Sequence, residues 1–285
     1  MRKIASLIPL WLAIAMASHG QSALPAAVEN ADLVQRALAT ESKAAEDRSH
    51  PMRYQLRKTS PRLTTTKDLI ETRDGAVARL LAVNDQPPSP PDLQKDDARL
   101  DALLRDPGKQ RHRKQGEDED TGRALKVLRA LPTAFVYQYA GTVEDGSGHA
   151  VARFTFTPDP KFSPPDLETE VLTQMTGEIW IDPAQVRVEH LQAKLRQDVD
   201  FGWGVLGRLY KGGWVSIDQA DVGGGSWRIV KFQMAMSARV LIRNKSFETT
   251  ETETQYTPVP PGMDYKQAVE MLRGPQGAAG AKPGR

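Results

Sequence analysis

The chain has 285 residues, with 38 Lys and Arg, 36 Asp and Glu, and no Cys. The missing cysteines exclude disulfides, a thiol nucleophile, thiolate-bound metal and a lipid-modified cysteine, so core packing must hold the fold. If the N-terminal leader described next is removed, Arg2 and Lys3 go with it. Both charge counts then stand at 36, which leaves no global basic field for nucleic acid.

Residues 1–20 have the layout of a secretory signal peptide. Arg2 and Lys3 precede an apolar stretch, Ile4 to Ala17, interrupted only by Ser6 and Pro9, and small residues follow. Cleavage after Ala17 or after Gly20 fits the small side chains the peptidase requires. The stretch is shorter than the roughly 20 residues of a membrane span. No second run of that length follows, so the mature chain is expected to have no transmembrane span and to be periplasmic or secreted.

Residues 21–50 are expected to form an N-terminal helix packed on a sheet. From Val28 to about Asp47 an apolar stripe runs through Leu33, Val34, Ala37 and Leu38, and Pro51 follows its end. Residues 51–262 read as a β-rich domain with a helical insertion at about 92–131. Arg53 to Thr59 alternates with period two, and Leu63 to Arg73 and Ala76 to Val83 flank Asp74-Gly75, the signature of a tight hairpin. The proline-rich stretch from Gln86 to Pro91 stops regular structure. Asp92 then reads as the N-cap of a helix to about Arg105, and Thr121 to Leu131 as a second helix. Between them a basic run, Lys109 to Lys114, and an acidic one, Glu117 to Asp120, read as a solvated loop or helix end.

From Thr133 the chain is strand after strand. Phe135, Tyr137 and Tyr139 alternate, as do Ala152, Phe154 and Phe156, with a turn at Asp145 to Gly148. Gly177 to Asp182 pairs with Val186 to Gln197, where a parity switch near Glu189-His190 predicts a β-bulge. Trp214 to Ala220 is a strand, and Gly223 to Gly225 a turn. Arg228 to Ile242 is the longest amphipathic strand, with Val230, Phe232, Met234, Met236 and Ala238 on one face and Lys231, Gln233, Ser237 and Arg239 on the other. Phe247 to Tyr256 alternates Thr and Glu with little to bury, and reads as an outer or edge strand guarded by charge. Residues 263–285 are expected to be a flexible tail that starts, after about Lys266, as a possible helix turn and ends in Gly, Pro and Ala.

No pattern supplies a catalytic centre. The five histidines have neither i, i+4 nor H-E-x-x-H spacing, so zinc has no support. Ser147 between glycines is turn chemistry, and Gly223 to Ser226 precedes a strand, not the helix of a phosphate loop. The acidic run Glu117 to Asp120 lacks the glycine and spacing of a calcium loop. The expectation is a non-enzyme with no cofactor, no metal and no catalytic residue. Phe232, Met234 and Met236 stand out, because unbranched, polarisable methionine adapts to varied apolar ligands, although the same row also serves as ordinary core. The residues expected to face an apolar cavity are Phe154, Phe156, Val230, Phe232, Met234 and Met236, with Trp180 and Trp214. Alternation leaves the opposite parity open.

The stretches GEIWIDP (Gly177 to Pro183) and VEHLQAKLRQDVDFGWGVLGRLYKGG (Val188 to Gly213), with the element order from Val28 to Tyr256, resemble outer-membrane lipoprotein-sorting proteins of the LolA/LolB-like superfamily, in particular its uncharacterised exported members. The resemblance implies an α+β, mainly antiparallel fold: a curved half-barrel sheet with helices covering the concave side. It also implies a non-enzymatic periplasmic carrier whose partners are lipid or lipoprotein acyl chains held in an apolar cavity. The insertion at 92–131 is longer than in the compact carriers. Two alternatives stand beside it: an envelope protein-interaction or stress-sensor module acting through the convex surface or an exposed edge, and an enzyme acting on envelope polymers.

Overall fold

A computed structural model describes residues 26–146, 148–201, 207–240 and 242–274, with side chains from residue 32 onward. The expected signal peptide lies outside the described residues. In chain order the elements are α1 (Ala26–Glu46), β1 (Met52–Thr59), β2 (Thr64–Ile70), β3 (Val77–Val83), α2 (Pro90–Arg105), α3 (Pro107–Ala134), β4 (Phe135–Glu144), β5 (Ala150–Pro158), α4 (Leu167–Glu170) with a 3₁₀ turn (Val171–Gln174), β6 (Met175–Asp182), β7 (Arg187–Leu195), β8 (Val199–Phe201), β9 (Gly207–Leu209), β10 (Trp214–Asp221), β11 (Trp227–Val240), β12 (Arg243–Pro258) and α5 (Tyr265–Arg273). The fold is α+β, built on one large antiparallel sheet that is open, not closed. Ten strands run in the order β3-β2-β1-β12-β11-β10-β7-β6-β5-β4, and β8 and β9 attach to β11.

One row of directly paired residues crosses all ten strands: Tyr139, Phe154, Ile179, Leu191, Ile217, Phe232, Glu251, Lys58, Thr65 and Val83. Paired residues point to the same side of a sheet, so this row defines one face. The face is apolar from β4 to β11 and turns charged and polar at β12. The bulge expected near Glu189 is present: Trp180 pairs with His190 but Ile181 with Val188, leaving Glu189 as the extra residue. It puts Val188, Ala193 and Leu195 on the same, buried side despite their different parities.

Two cores lie on opposite faces. On the face of the Phe154 row, Leu33, Val34, Ala37 and Leu38 of α1 pack with Phe135, Phe154, Phe156, Ile179, Ile181 and Val188. Glu41 locks α1 there, accepting both Nε and Nη2 of Arg187 at 2.9 Å and the Val188 amide at 2.9 Å. On the other face, at the β1–β3 end, Ile70 and Val77 pack with Leu100 and Leu103 of α2 and with Ala268, Val269 and Leu272 of α5. The helices therefore divide between the faces, where the family resemblance implied that all would cover one side.

α3 links the two ends. Its N-terminal half meets the β2–β3 hairpin, and its C-terminal end runs directly into β4. The exposed edge of β3 is capped by helix side chains. Glu117 accepts from the Ala76 amide (2.9 Å) and Asp96 from the Leu80 amide (3.1 Å), while Arg113 donates to Ala76 O (2.8 Å) and Arg99 to Ala78 O. These contacts occupy backbone groups that would otherwise template another strand.

Several expectations are corrected. The charged run between the helices is the N-terminal half of α3, because its blocks sit four residues apart and pair along the helix, as Arg113 with Glu117 and Lys114 with Asp118. The N-cap of α2 is Ser89, not Asp92, with Pro90 and Pro91 in the first turn, where a missing N–H costs nothing. Asp74-Gly75 does not form a two-residue turn. Ile70 pairs with Val77 across a wider loop in which only Gly75 has positive φ, and Gln110 holds Asp74 O. β12 is not an edge strand but pairs on both sides, with β1 and β11. Its Thr/Glu alternation reflects faces that neither core covers. The helix turn expected at the start of the tail is α5, but it is not flexible tail: Asp264 caps it and Ala268, Val269 and Leu272 bury it. Among the described residues no helix is long and apolar enough to cross a membrane.

Candidate functional site

The eight cavity candidates divide into three groups. Phe154 and Phe156 are 1% and 3% exposed. Their rings lie 5.5 Å from Tyr139 and 4.6 Å from Phe135, and α1 fills the space above them. The cavity expected at this place is packed core. Trp180 and Trp214 lie on the opposite face, since Trp180 pairs with Arg153 and His190 and Trp214 with Lys194 and Ala235. They cannot line a site with the others. Trp180 instead lies against His190 in a tilted ring contact with centroids 4.8 Å apart, and the His190 Nδ1 is 2.6 Å from Asp218.

Phe232, Met234 and Met236 share the face of the Phe154 row and are half-buried, as is Val230, the extra residue of a bulge in β11. Phe232 pairs with Ile217 and Met234 with Val215, both also half-buried. Leu191, Val215 and Met236 pack against the α1 core. The result is an apolar shelf on β7, β10 and β11, continuous with the core but only partly covered. It ends at Glu251, which accepts a charge-assisted bond from Lys58 at 2.6 Å.

Beyond the shelf, at the N-terminal end of β11, is a polar cluster that the sequence did not announce. The β11–β12 pairing extends no further than Lys231 with Thr252. Tyr256 reaches into the gap, donating to Ile229 O at 3.0 Å, and its hydroxyl also contacts Glu253. Tyr54 stacks on Tyr256 with centroids 5.2 Å apart. Arg228 enters from β11, donating to His50 O at 2.7 Å and lying 3.8 Å from Glu71, which itself accepts from the Met52 amide at 2.9 Å. Its Nε is buried and has no hydrogen-bond partner among the described residues.

Burial pushes the Glu253 carboxyl up to about 7, helped by the charges of Glu251 and Glu71 and opposed by the Tyr256 hydrogen bond and Arg228. Tyr256 has one proton for two acceptors. With Glu253 protonated, the acid donates to Tyr256, which donates to Ile229 O; with Glu253 ionised, Tyr256 must serve one acceptor at the expense of the other. Burial also raises the Tyr54 and Tyr256 hydroxyls, keeping both neutral. The cluster thus holds two phenol hydroxyls and a carboxyl that is uncharged below neutral pH where β11 parts from β12, while Arg228, paired with Ala220, springs from the face opposite the shelf.

These residues were missed because none belongs to a spacing motif. The bulge at Gln255, whose φ is +58°, brings Tyr256 to the side of Glu253, and nothing in a Thr/Glu alternation signals it. Elsewhere, a groove of about 610 Å³ lies between α3 and residues 159–166, lined by Lys126, Arg129 and Phe162. Another of about 530 Å³ lies on the opposite face beside Trp214 and Gln192. Among the described residues no group of His, Asp and Glu could hold a metal ion. Comparison of the chain with protein-family models, with curated proteins and with solved structures gave no match.

Proposed function

We propose that the protein is a non-catalytic binding or carrier protein for the acyl chains of a lipid or lipoprotein, working in the periplasm to which its leader-like N-terminus would direct it. The observation that carries this reading is the shelf of Val215, Ile217, Phe232, Met234 and Met236. It extends the α1 core across β10 and β11 while staying half-buried. An acyl chain gains about 0.8 kcal/mol for each methylene taken from water, so such a strip is a site for a long chain. Met234 and Met236 adapt to varied chains without a fixed pocket shape. The reading keeps the expected ligand class but relocates it, from a cavity under the helices to the uncovered part of the same face. A LolA-like relationship belongs to this proposal.

Titration with a fluorescent fatty acid tests it. Wild-type protein should show saturable uptake with emission shifted to the blue, and Phe232→Asp should lose it. Absence of uptake by wild type would overturn the reading.

A protein-interaction module is the second reading, and β4 favours it. Unlike β3, this edge is not capped by helix side chains among the described contacts, and Val136 and Tyr139 on it are 43% and 47% exposed. A concentration-dependent increase in molecular mass, abolished by Val136→Lys, is its signature.

A further inference from the structure

The sheet has a second uncovered surface, on the face opposite the shelf. α1 and the C-terminal part of α3 pack on the shelf's face, and α2 and α5 cover the opposite face at the β1–β3 end. Between β5 and β10 that face carries two half-buried indoles. Trp180 pairs with Arg153 and His190, and Trp214 with Lys194. Glu178 and Gln192, paired with each other, form the row between them.

The two tryptophans differ in how they are held. The Nε1 of Trp180 donates to one oxygen of Glu178 at 3.1 Å, and Arg153 Nε donates to the other at 2.9 Å. The ring is fixed against His190, which Asp218 holds in turn. Around Trp214 the polar groups are free: its indole N–H and the exposed side chains of Gln192 and Lys194 make no hydrogen bond among the described residues. The groove of about 530 Å³ lies here, lined by Thr176, Glu178, Gln192, Lys194 and Trp214. His190 and Lys194, which oppose the tryptophans, are four residues apart on β7, or about 13 Å at the strand rise, and β7 separates β6 from β10 by about 10 Å. The Trp180 and Trp214 backbones are therefore about 16 Å apart, with Glu178 and Gln192 on the diagonal.

These are the groups a sugar chain needs. A pyranose with equatorial substituents has apolar C–H faces that stack on an indole, and a belt of hydroxyls in the ring plane that calls for donors and acceptors beside it. Charges of both signs share the surface, Arg153 and Lys194 with Glu178 and Asp218, so neither a polyanion nor a polycation is favoured. Two indoles separated by polar side chains do not form the contiguous apolar patch of a protein interface. A β-1,4-linked chain is a flat, extended ribbon that can lie across an open sheet, whereas an α-1,4-linked chain coils away from it.

We propose that this face binds a β-1,4-linked polysaccharide, with one sugar stacked on Trp214, hydroxyls along the groove meeting Gln192, Lys194 and Glu178, and a later sugar at Trp180. The site is independent of the acyl shelf: it lies on the other side of the sheet and shares no residue with it.

Calorimetric titration with cellohexaose, chitohexaose and maltohexaose tests the proposal. One or both β-linked hexamers should bind saturably, and α-linked maltohexaose should not. Trp214→Ala should weaken binding by about ten-fold or more, the scale of a ring stacked on an aromatic side chain. Trp214→Tyr should restore part of the loss. Should Trp214→Ala not fold, Gln192→Ala at an exposed position gives the second test, with a loss of about three- to ten-fold, the scale of one hydrogen bond. Phe232→Asp should keep the glycan affinity while losing fatty-acid uptake, and Trp214→Ala should do the reverse. No binding of either β-linked hexamer by wild type, or affinity unchanged in Trp214→Ala and Gln192→Ala, would overturn the site and leave the acyl reading intact. Maltohexaose binding as tight as that of the β-linked hexamers would overturn the ribbon-like ligand.

Discussion

Phe232 and Glu251 stand opposite one another on β11 and β12, and the polarity of a ten-strand face changes between them. On the Phe232 side the row continues through Ile217 and Leu191 into the packed core; on the Glu251 side it continues to Lys58 and Thr65. Phe232 is thus the last residue of the unbroken apolar run that starts at β4. Phe232→Asp or Met234→Asp should abolish acyl binding at modest cost in stability. Deleting a fully buried Phe costs about 3–5 kcal/mol, and a half-buried one should cost less than about 2. Fatty-acid titration and urea unfolding measured on the same samples check both halves.

The opposite face gives the matching control. Trp180 and Trp214 point to the face opposite the shelf. Trp214→Ala should leave acyl affinity within two-fold of wild type. A large loss of affinity would mean that the chain lies on the other side of the sheet.

Glu41 and Arg187 are 8% and 12% exposed. Glu41→Ala strands a guanidinium and the Val188 amide together, and should destabilise the protein by about 3–5 kcal/mol. Glu41→Gln, which can still accept one bond, should cost less. Urea denaturation gives the difference, and near-ultraviolet dichroism reports whether α1 stays docked on the aromatic core.

Glu253 gives stability a pH dependence of definite sign. Its carboxyl is raised from 4.5 to about 7 in the folded protein, so the native state holds a proton that the unfolded chain has released between those values. Stability must therefore fall as pH rises from about 4.5 to about 7, and level off above. Glu189, also pushed up to about 7 by burial and by the charges of Asp145 and Asp182, acts in the same direction. Glu253→Gln should remove about half of the slope and leave the variant more stable than wild type at pH 8. Urea unfolding at pH 5 and pH 8 is the measurement.

What the sequence made legible was local. The strand periods, the bulge at Glu189, the α1 stripe and the glycine turn before β11 were each encoded within a dozen residues, and each stands in the structure. Position within the sheet was not local. β12 reads as an edge strand because it has little to bury, yet it lies between β1, nearly two hundred residues earlier, and β11. Its polarity reports what lies above each face, not what lies beside it. The candidate site divided for the same reason. Parity groups Phe232, Met234 and Met236 on one face, but the bulge at Val230 breaks the alternation there. Whether a helix lies over that face is a tertiary fact, and α1 filled the place at Phe154 and Phe156. Tyr54, Tyr256 and Glu253 cluster where β11 parts from β12, an event with no sequence motif.

Native mass spectrometry of protein isolated from its own compartment without detergent, followed by lipid extraction, tests the central claim most directly. The account predicts a discrete added mass matching an acyl-bearing molecule, present in wild type and absent in Phe232→Asp. A clean protein mass that gains nothing on incubation with fatty acid or phospholipid would contradict it.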